Sequence, residues 1–153
     1  MRYEYIEPLV VSTKKVLHNV LDAEISGGDI SLERADAVDG EISILIRVKG
    51  DSEGSIIVSL GRDTATQICA VMSGADGITP ATLEMDTIAE LSNMIAGNAT
   101  SALNDLGYDF AVFPPTVVAR TEILEKTSGV EIFRVPLGTP CGEISINVAL
   151  KTN

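Results

Sequence analysis

Residues 40–60 read GEISILIRVKGDSEGSIIVSL, and their pattern decides the fold class. Ile42, Ile44, Ile46 and Val48 fall on alternate positions, with Ser43, Arg47 and Lys49 among the residues between them. A period of two places the apolar set on one face of a pleated strand. Residues 51–54, DSEG, carry turn chemistry and lead into a second apolar run, SIIVSL, so 41–60 reads as a β-hairpin. The same construction returns at 130–150. There VEIFRVPLG is followed by CGEISINVAL, in which Ile144, Ile146, Val148 and Leu150 alternate cleanly. Both hairpins finish on a G-x-I strand, GSIIVSL in one and GEISINVAL in the other, and a helical pattern precedes each. The expectation is an α+β fold in a single domain, 1–153, with an antiparallel sheet covered by long helices and a loose internal two-fold repeat of helix plus hairpin.

Working outward, Ile6, Leu9, Val10, Leu17, Val20 and Leu21 recur at helical spacing, which predicts a helix over residues 4–22. Pro8 is expected in its first turn, where proline is tolerated, and Gly27-Gly28 ends the segment. Residues 28–36 can add a strand. Past the first hairpin, Ala65, Ile68, Cys69 and Met72 mark a second helix, with Asp63 as its cap and Gly74 at its close. The third and longest helix is expected to begin near Thr79-Pro80, an N-cap followed by proline, and to end at Gly107. The strand ISINVALK is long and apolar enough to be a sheet edge in need of cover.

The chain has 153 residues, 45% of them apolar and 22% charged, which suits one globular unit with a real core. No stretch of about 18 apolar residues predicts a membrane span, and the first residues lack the h-region of a secretory signal, so cytoplasm is the default. Net charge is −11 with no basic cluster along the chain, which argues against nucleic acid as a partner. Cys69 and Cys141 lie in apolar surroundings that suit buried thiols better than a disulfide framework. One histidine and two separated cysteines do not make a zinc site, and His18, beside Asn19 on a helix, reads as structural or surface. No G-x-S-x-G elbow, P-loop or G-x-G-x-x-G occurs, so the chemistry left to this chain needs few groups.

The long helix contains DTIAELSNMIAGNATSALNDLG, residues 86–107, with Gly97 at its middle. An interior glycine costs a helix roughly 1 kcal/mol relative to alanine. With each residue turning about 100° and Glu90 set to zero, Asp86 falls at about 320°, Asn93 at about 300° and Gly97 at about 340°. Ile88, Leu91, Ile95 and Ala102 cluster between roughly 100° and 160°, on the opposite side. The polar stripe can be a solvated face with an incidental glycine. It can also be a docking face, bare at Gly97 so that something large approaches closely.

EYIEPLVVSTKKVL, GSIIVSL, DTIAELSNMIAGNA and PPTVV, in that order, resemble the CheX branch of the CheC/CheX/FliY family of chemotaxis response-regulator phosphatases. The resemblance runs from about residue 5 to about 150. Its most specific element is (Asp or Ser)-x-x-x-Glu-x-x-Asn with a downstream proline, met by Asp86, Glu90, Asn93 and Pro115, the last with Pro114 as neighbour. Family members often carry glycine shortly after PTV, where this chain has Val118, Ala119 and Arg120, a departure expected to concern a strand.

The resemblance implies a phosphatase acting on the aspartyl phosphate of a CheY-type response regulator. Asn93 would position the attacking water and Glu90 would dock on the regulator's lysine. No cofactor of its own is implied, since Mg²⁺ is supplied in the partner's site. Asp86 either binds the partner or favours the helix as an acid in its first turns. On the helical wheel Gly97 would clear space for the partner, and Pro115 would shape the strand after the helix. The first helix, STKKVLHNVL, has no Glu-x-x-Asn, which leaves one site per chain. The resemblance also implies a homodimer joined through sheet edges. The alternative is a non-catalytic module that binds a response regulator, and a third reading is a structural subunit of the FliY kind.

Overall fold

The computed structural model describes residues 3–73, 81–127 and 130–150. The elements run α1 (Tyr3–Leu21), β1 (Ser26–Gly27), β2 (Ser31–Glu33), a 3-10 turn (Ala35–Ala37), β3 (Ile42–Gly50), β4 (Gly54–Leu60), α2 (Arg62–Ser73), α3 (Ala81–Asp105), β5 (Phe110–Val112), β6 (Thr116–Val117), α4 (Arg120–Lys126), β7 (Ile132–Thr139) and β8 (Gly142–Leu150). All strand pairs are antiparallel, in the order β1-β7-β8-β4-β3-β5, with β2 also on β7 and β6 also on β3.

The two predicted hairpins are β3–β4 and β7–β8, and they join at the middle of the sheet through β4 and β8, from Gly54 opposite Leu150 to Leu60 opposite Ile144. The strand expected to be an edge is therefore interior. β8 is flanked on both sides, and the outer edges are the two- and three-residue strands β1, β2, β5 and β6. Alternation alone cannot tell an edge from a centre. What distinguishes β8 is that its second face is closed as well, with Ser145, Asn147 and Ala149 buried.

One face of the sheet carries Ile44, Ile46, Ile56, Val58, Ile144, Ile146 and Val135, packed under α1, α2 and α3. The other carries a smaller core, in which Leu45 and Ile57 meet Val38, Val118, Ile123 and Ile132. α4 supplies Ile123 to this second core. It begins at Arg120, in the region expected to continue as strand. The Arg120 guanidinium ties α4 to the 3-10 turn, donating to the Val38 carbonyl at 2.9 Å and the Asp36 carbonyl at 2.8 Å. On this face the Ser43 and Ser59 hydroxyls lie 3.3 Å apart, and Asn147 Nδ2 donates to the Ile57 carbonyl at 3.1 Å while its Oδ1 is buried without a partner among the described residues.

Three helix boundaries differ from the sequence expectation. Pro8 lies inside α1, in its second turn rather than its first. α1 ends before Asp22, whose φ of 49° is left-handed, while Gly27-Gly28 serve the next connection instead. At Gly27 (φ 81°) a Cβ would lie 2.7 Å from the Pro136 carbonyl oxygen, so only glycine lets β1 press against β7. α2 begins at Arg62, which puts Asp63 within the first turn; the Arg62 amide donates instead to Glu41 Oε1 at 3.0 Å, a cap borrowed from β3's approach. Gly74 and Thr79-Pro80 lie outside the described residues.

Candidate functional site

α3 is built from good helix formers (alanine, leucine, methionine, glutamate) and buries one broad side. Ile88, Leu91, Ser92, Ile95, Ala96, Ala99 and Leu103 are buried against α1 and the sheet. The small residues Ala96 and Ala99 let α1 come close. The buried arc is wider than the sequence wheel suggested and is centred further round, which leaves Ala102 only half-buried at its rim.

The end of the helix is fixed firmly. Gly107, at φ 99°, reverses the chain, and the Tyr108 amide donates back to the Leu103 carbonyl at 3.1 Å. Asn104 then clamps the helix to the sheet: its Nδ2 donates to the Phe110 carbonyl at 3.2 Å and its Oδ1 accepts from the Phe110 amide at 2.9 Å. Tyr5 of α1 packs edge-on to Tyr108 and Phe110, with centroids 4.9 and 5.0 Å away. The rotation of α3 about its axis is thus set by its core face and by this clamp.

That rotation turns Asp86, Glu90 and Asn93 outward, all three exposed, with Gly97 half-buried one turn further on. The four residues expected on one stripe share it. Residues three apart on a helix hold their Cβ atoms about 5–6 Å apart, so Glu90 and Asn93 present a carboxylate and a carboxamide side by side. Among the described residues no hydrogen bond or ion pair engages the side chain of Asp86, Glu90 or Asn93. Nearby polar groups behave differently. Asn98 Nδ2 donates to the Met94 carbonyl at 2.8 Å, and Thr100 and Ser92 bond back to carbonyls four residues earlier. Asn93 is an amide left available.

Gly97 answers a specific question. It has ordinary helical φ, and a Cβ built there would meet nothing within 4 Å. The fold itself has no need for glycine at this position. Nothing among the described residues calls for a bare backbone here.

Two apolar residues on the same stripe escaped the sequence reading. Leu83 and Met94 fall at about 20° and about 40° on the wheel. Leu83 is 53% exposed at the upstream end, and Met94 is half-buried beside Glu90. The wheel held the signal, but attention to polar residues passed over it. Pro115 is not on the stripe. It precedes β6 on the outer edge of β3, where Phe113 and Val118 amides still donate to Arg47 and Ser43 carbonyls while the two prolines, lacking N–H groups, interrupt the ladder.

The thiols are apart from this site. Burial raises the pKa of Cys69, with the Glu84 charge adding to it, and burial likewise raises that of Cys141. Cys69 is buried as expected, whereas Cys141 is half-buried in the β7–β8 turn, and both are free. Among the described residues no group of three His, Cys, Asp or Glu could hold a metal ion, and no helix is long and apolar enough to cross a membrane.

Comparison with known proteins adds the following. The family model described as chemotaxis phosphatase CheX matches residues 42–138, a span that includes all of α3. The CheY-P phosphatase CheX of Thermotoga maritima is 30% identical over 133 residues, which cover 86% of this chain and 85% of that protein. A CheC-like superfamily protein from Shewanella sp. PV-4 shares 24% identity, with a TM-score of 0.84 over 99% of this chain and 100% of that one. A chain of the CheX-CheY-BeF3-Mg²⁺ complex from Borrelia burgdorferi, also 24% identical, gives a TM-score of 0.75 over 99% of this chain and 100% of its own.

Proposed function

We propose a function from one premise: the chain belongs to the chemotaxis phosphatase CheX family. In this reading it hydrolyses the phosphoryl group carried on the aspartate of a CheY-type response regulator. The observation that carries the reading is the stripe of α3, where Glu90 and Asn93 stand one turn apart, exposed and without internal partners, next to a glycine the fold does not require.

An aspartyl phosphate has a good leaving group, so its hydrolysis depends on placing water in line rather than on covalent help. The water oxygen forms a bond to phosphorus as the P–O bond to the aspartate breaks. The carboxylate departs with that electron pair, and the water's proton ends on the phosphate. The Asn93 carboxamide can accept a hydrogen bond from the water and hold its lone pair towards phosphorus without acting as a strong base. Glu90 pairs with the lysine beside the regulator's phosphoryl group and sets the register. Gly97 lets the partner's surface approach, and Leu83 and Met94 give it apolar contact. Asp86, exposed and unpaired among the described residues, joins the contact rather than serving the fold. Mg²⁺ comes with the regulator; the Borrelia assembly contains CheY, BeF3 and Mg²⁺ together.

The test compares phosphoryl half-lives of a panel of phosphorylated regulators with and without the protein. Shortening by the native chain and not by Asn93→Ala supports hydrolysis. A half-life that the native chain leaves unchanged, despite measurable binding, would make it a binding module. The homodimer is part of the proposal only through the short outer strands, which offer few free backbone groups. Light scattering giving the monomer mass at micromolar concentration would remove it.

A further inference from the structure

Two cations of one strand meet a third from far downstream on the sheet face away from α3. Arg47 and Lys49 project from β3 on the same side as Leu45, and Lys126 closes α4, which covers that face. Together with Glu53 and Ser55 they line a cavity of about 310 Å³ at the β3–β4 turn. The sequence has no basic cluster, yet strand alternation and the docking of α4 assemble one. The chain has 11 Lys+Arg against 22 Asp+Glu, so a cavity that draws three of those 11 cations is out of keeping with the rest of the surface.

Their counter-charges are missing. Arg134 pairs with Asp39 and Glu143, whereas no ion pair among the described residues engages Arg47, Lys49 or Lys126. What holds two of the heads together is an aromatic ring. The Arg47 guanidinium lies 5.1 Å and the Lys49 ammonium 6.0 Å from the Phe113 centroid, so the negative face of the ring offsets part of their repulsion. Three positive groups and the single carboxylate of Glu53 leave a net charge of +2 in the cavity. A cleft lined by one sign of charge concentrates the opposite ion.

We infer that this cavity binds a phosphate-bearing small molecule. The net +2 matches a phosphate dianion, the planar fork of arginine suits two phosphate oxygens at once, and the lysines act as adjustable point charges. The volume lies at the lower end of the range of about 300–1,000 Å³ for small-molecule sites, which fits a compact ligand better than a protein surface. Inorganic phosphate and a phosphate ester share this chemistry. The site is independent of Asn93, since the whole sheet lies between them.

Calorimetric titration of the intact chain with inorganic phosphate, and separately with AMP, tests the inference. The expected result is saturable binding of one equivalent, weakened as ionic strength rises. Lys126→Glu and Lys49→Glu are each expected to weaken it at least tenfold, and Glu53→Gln to tighten it several-fold, with melting curves showing that all three fold. Equal binding of both probes assigns the site to phosphate itself, and binding of AMP alone assigns it to an ester; either supports the inference. No saturable binding of either probe would overturn it. So would binding that survives both charge reversals unchanged, or an acidic peptide such as poly-glutamate binding where neither phosphate probe does.

Discussion

α1 and α3 occupy matching places, each preceding one of the hairpins and packing against the other, yet their outer faces are used differently. On α1, Lys14, His18 and the buried Thr13 turn back to the chain, while Glu7, Lys15 and Asn19 stay exposed. Lys14 Nζ donates to the Gly27 carbonyl at 3.1 Å, His18 Nδ1 to the Ala23 carbonyl at 2.8 Å, and Thr13 Oγ1 to the Leu9 carbonyl at 2.7 Å. On α3, Asp86, Glu90 and Asn93 do nothing of the kind. One helix uses Lys14 and His18 to close its own connection to the sheet. The other holds an amide and a carboxylate at fixed positions with no task inside the molecule. A polar group without structural employment, on a rigid element, beside a glycine without structural cause, is what a docking surface looks like from one side.

The contrast can be broken or sharpened by substitution. The largest effect is expected on the hidden side of α3, where Ile95→Ala should cost about 2–5 kcal/mol of stability in urea unfolding. A cost near zero would mean that the assigned faces of the helix are wrong. Next is Asn93→Ala, two residues away, which should slow regulator dephosphorylation by about 10²-fold or more while shifting stability by less than about 0.5 kcal/mol. On α1, His18→Ala should behave in the opposite sense, losing about 0.5–1.5 kcal/mol of stability with the lost hydrogen bond while phosphatase turnover stays at the native value. The smallest effect has the unusual sign. Gly97→Ala should stabilise the protein by up to about 1 kcal/mol through helix propensity, since its Cβ meets nothing, and should weaken regulator binding several-fold. Stabilisation with unaltered binding would leave Gly97 without a role.

Much of this arrangement is legible before any coordinates. Ile42 to Val48 and Ile144 to Leu150 alternate so regularly that both hairpins can be read directly, and the wheel of residues 86–97 separates the faces of α3 because a 25-residue helix repeats its signal many times. The failures have physical reasons. α4 spans seven residues, too few for a helical period to show, so the second core that Ile123 makes with Leu45 and Ile57 stayed hidden. β8 read as an edge because sheet order depends on contacts about 90 residues apart, such as Ile57 with Asn147. Asp63 looked like a cap, but Glu41, just ahead of β3, performs that service. For the site, the pattern around Glu90 and Asn93 was visible, whereas the meeting of Arg47, Lys49 and Lys126 was not, because nothing local links a strand to a helix so far downstream.

The central position of β8 has a consequence for how the molecule comes into being. The strand that joins the two hairpins follows every other described element in the chain, so a ribosome delivers this keystone after all of them. Until it emerges, β4 has one unpaired margin, and the apolar undersides of α1 and α3 lack half their floor. Assembly must therefore wait until β8 has emerged, and a nascent chain stalled before residue 142 is expected to be a client of chaperones rather than a smaller version of the same fold.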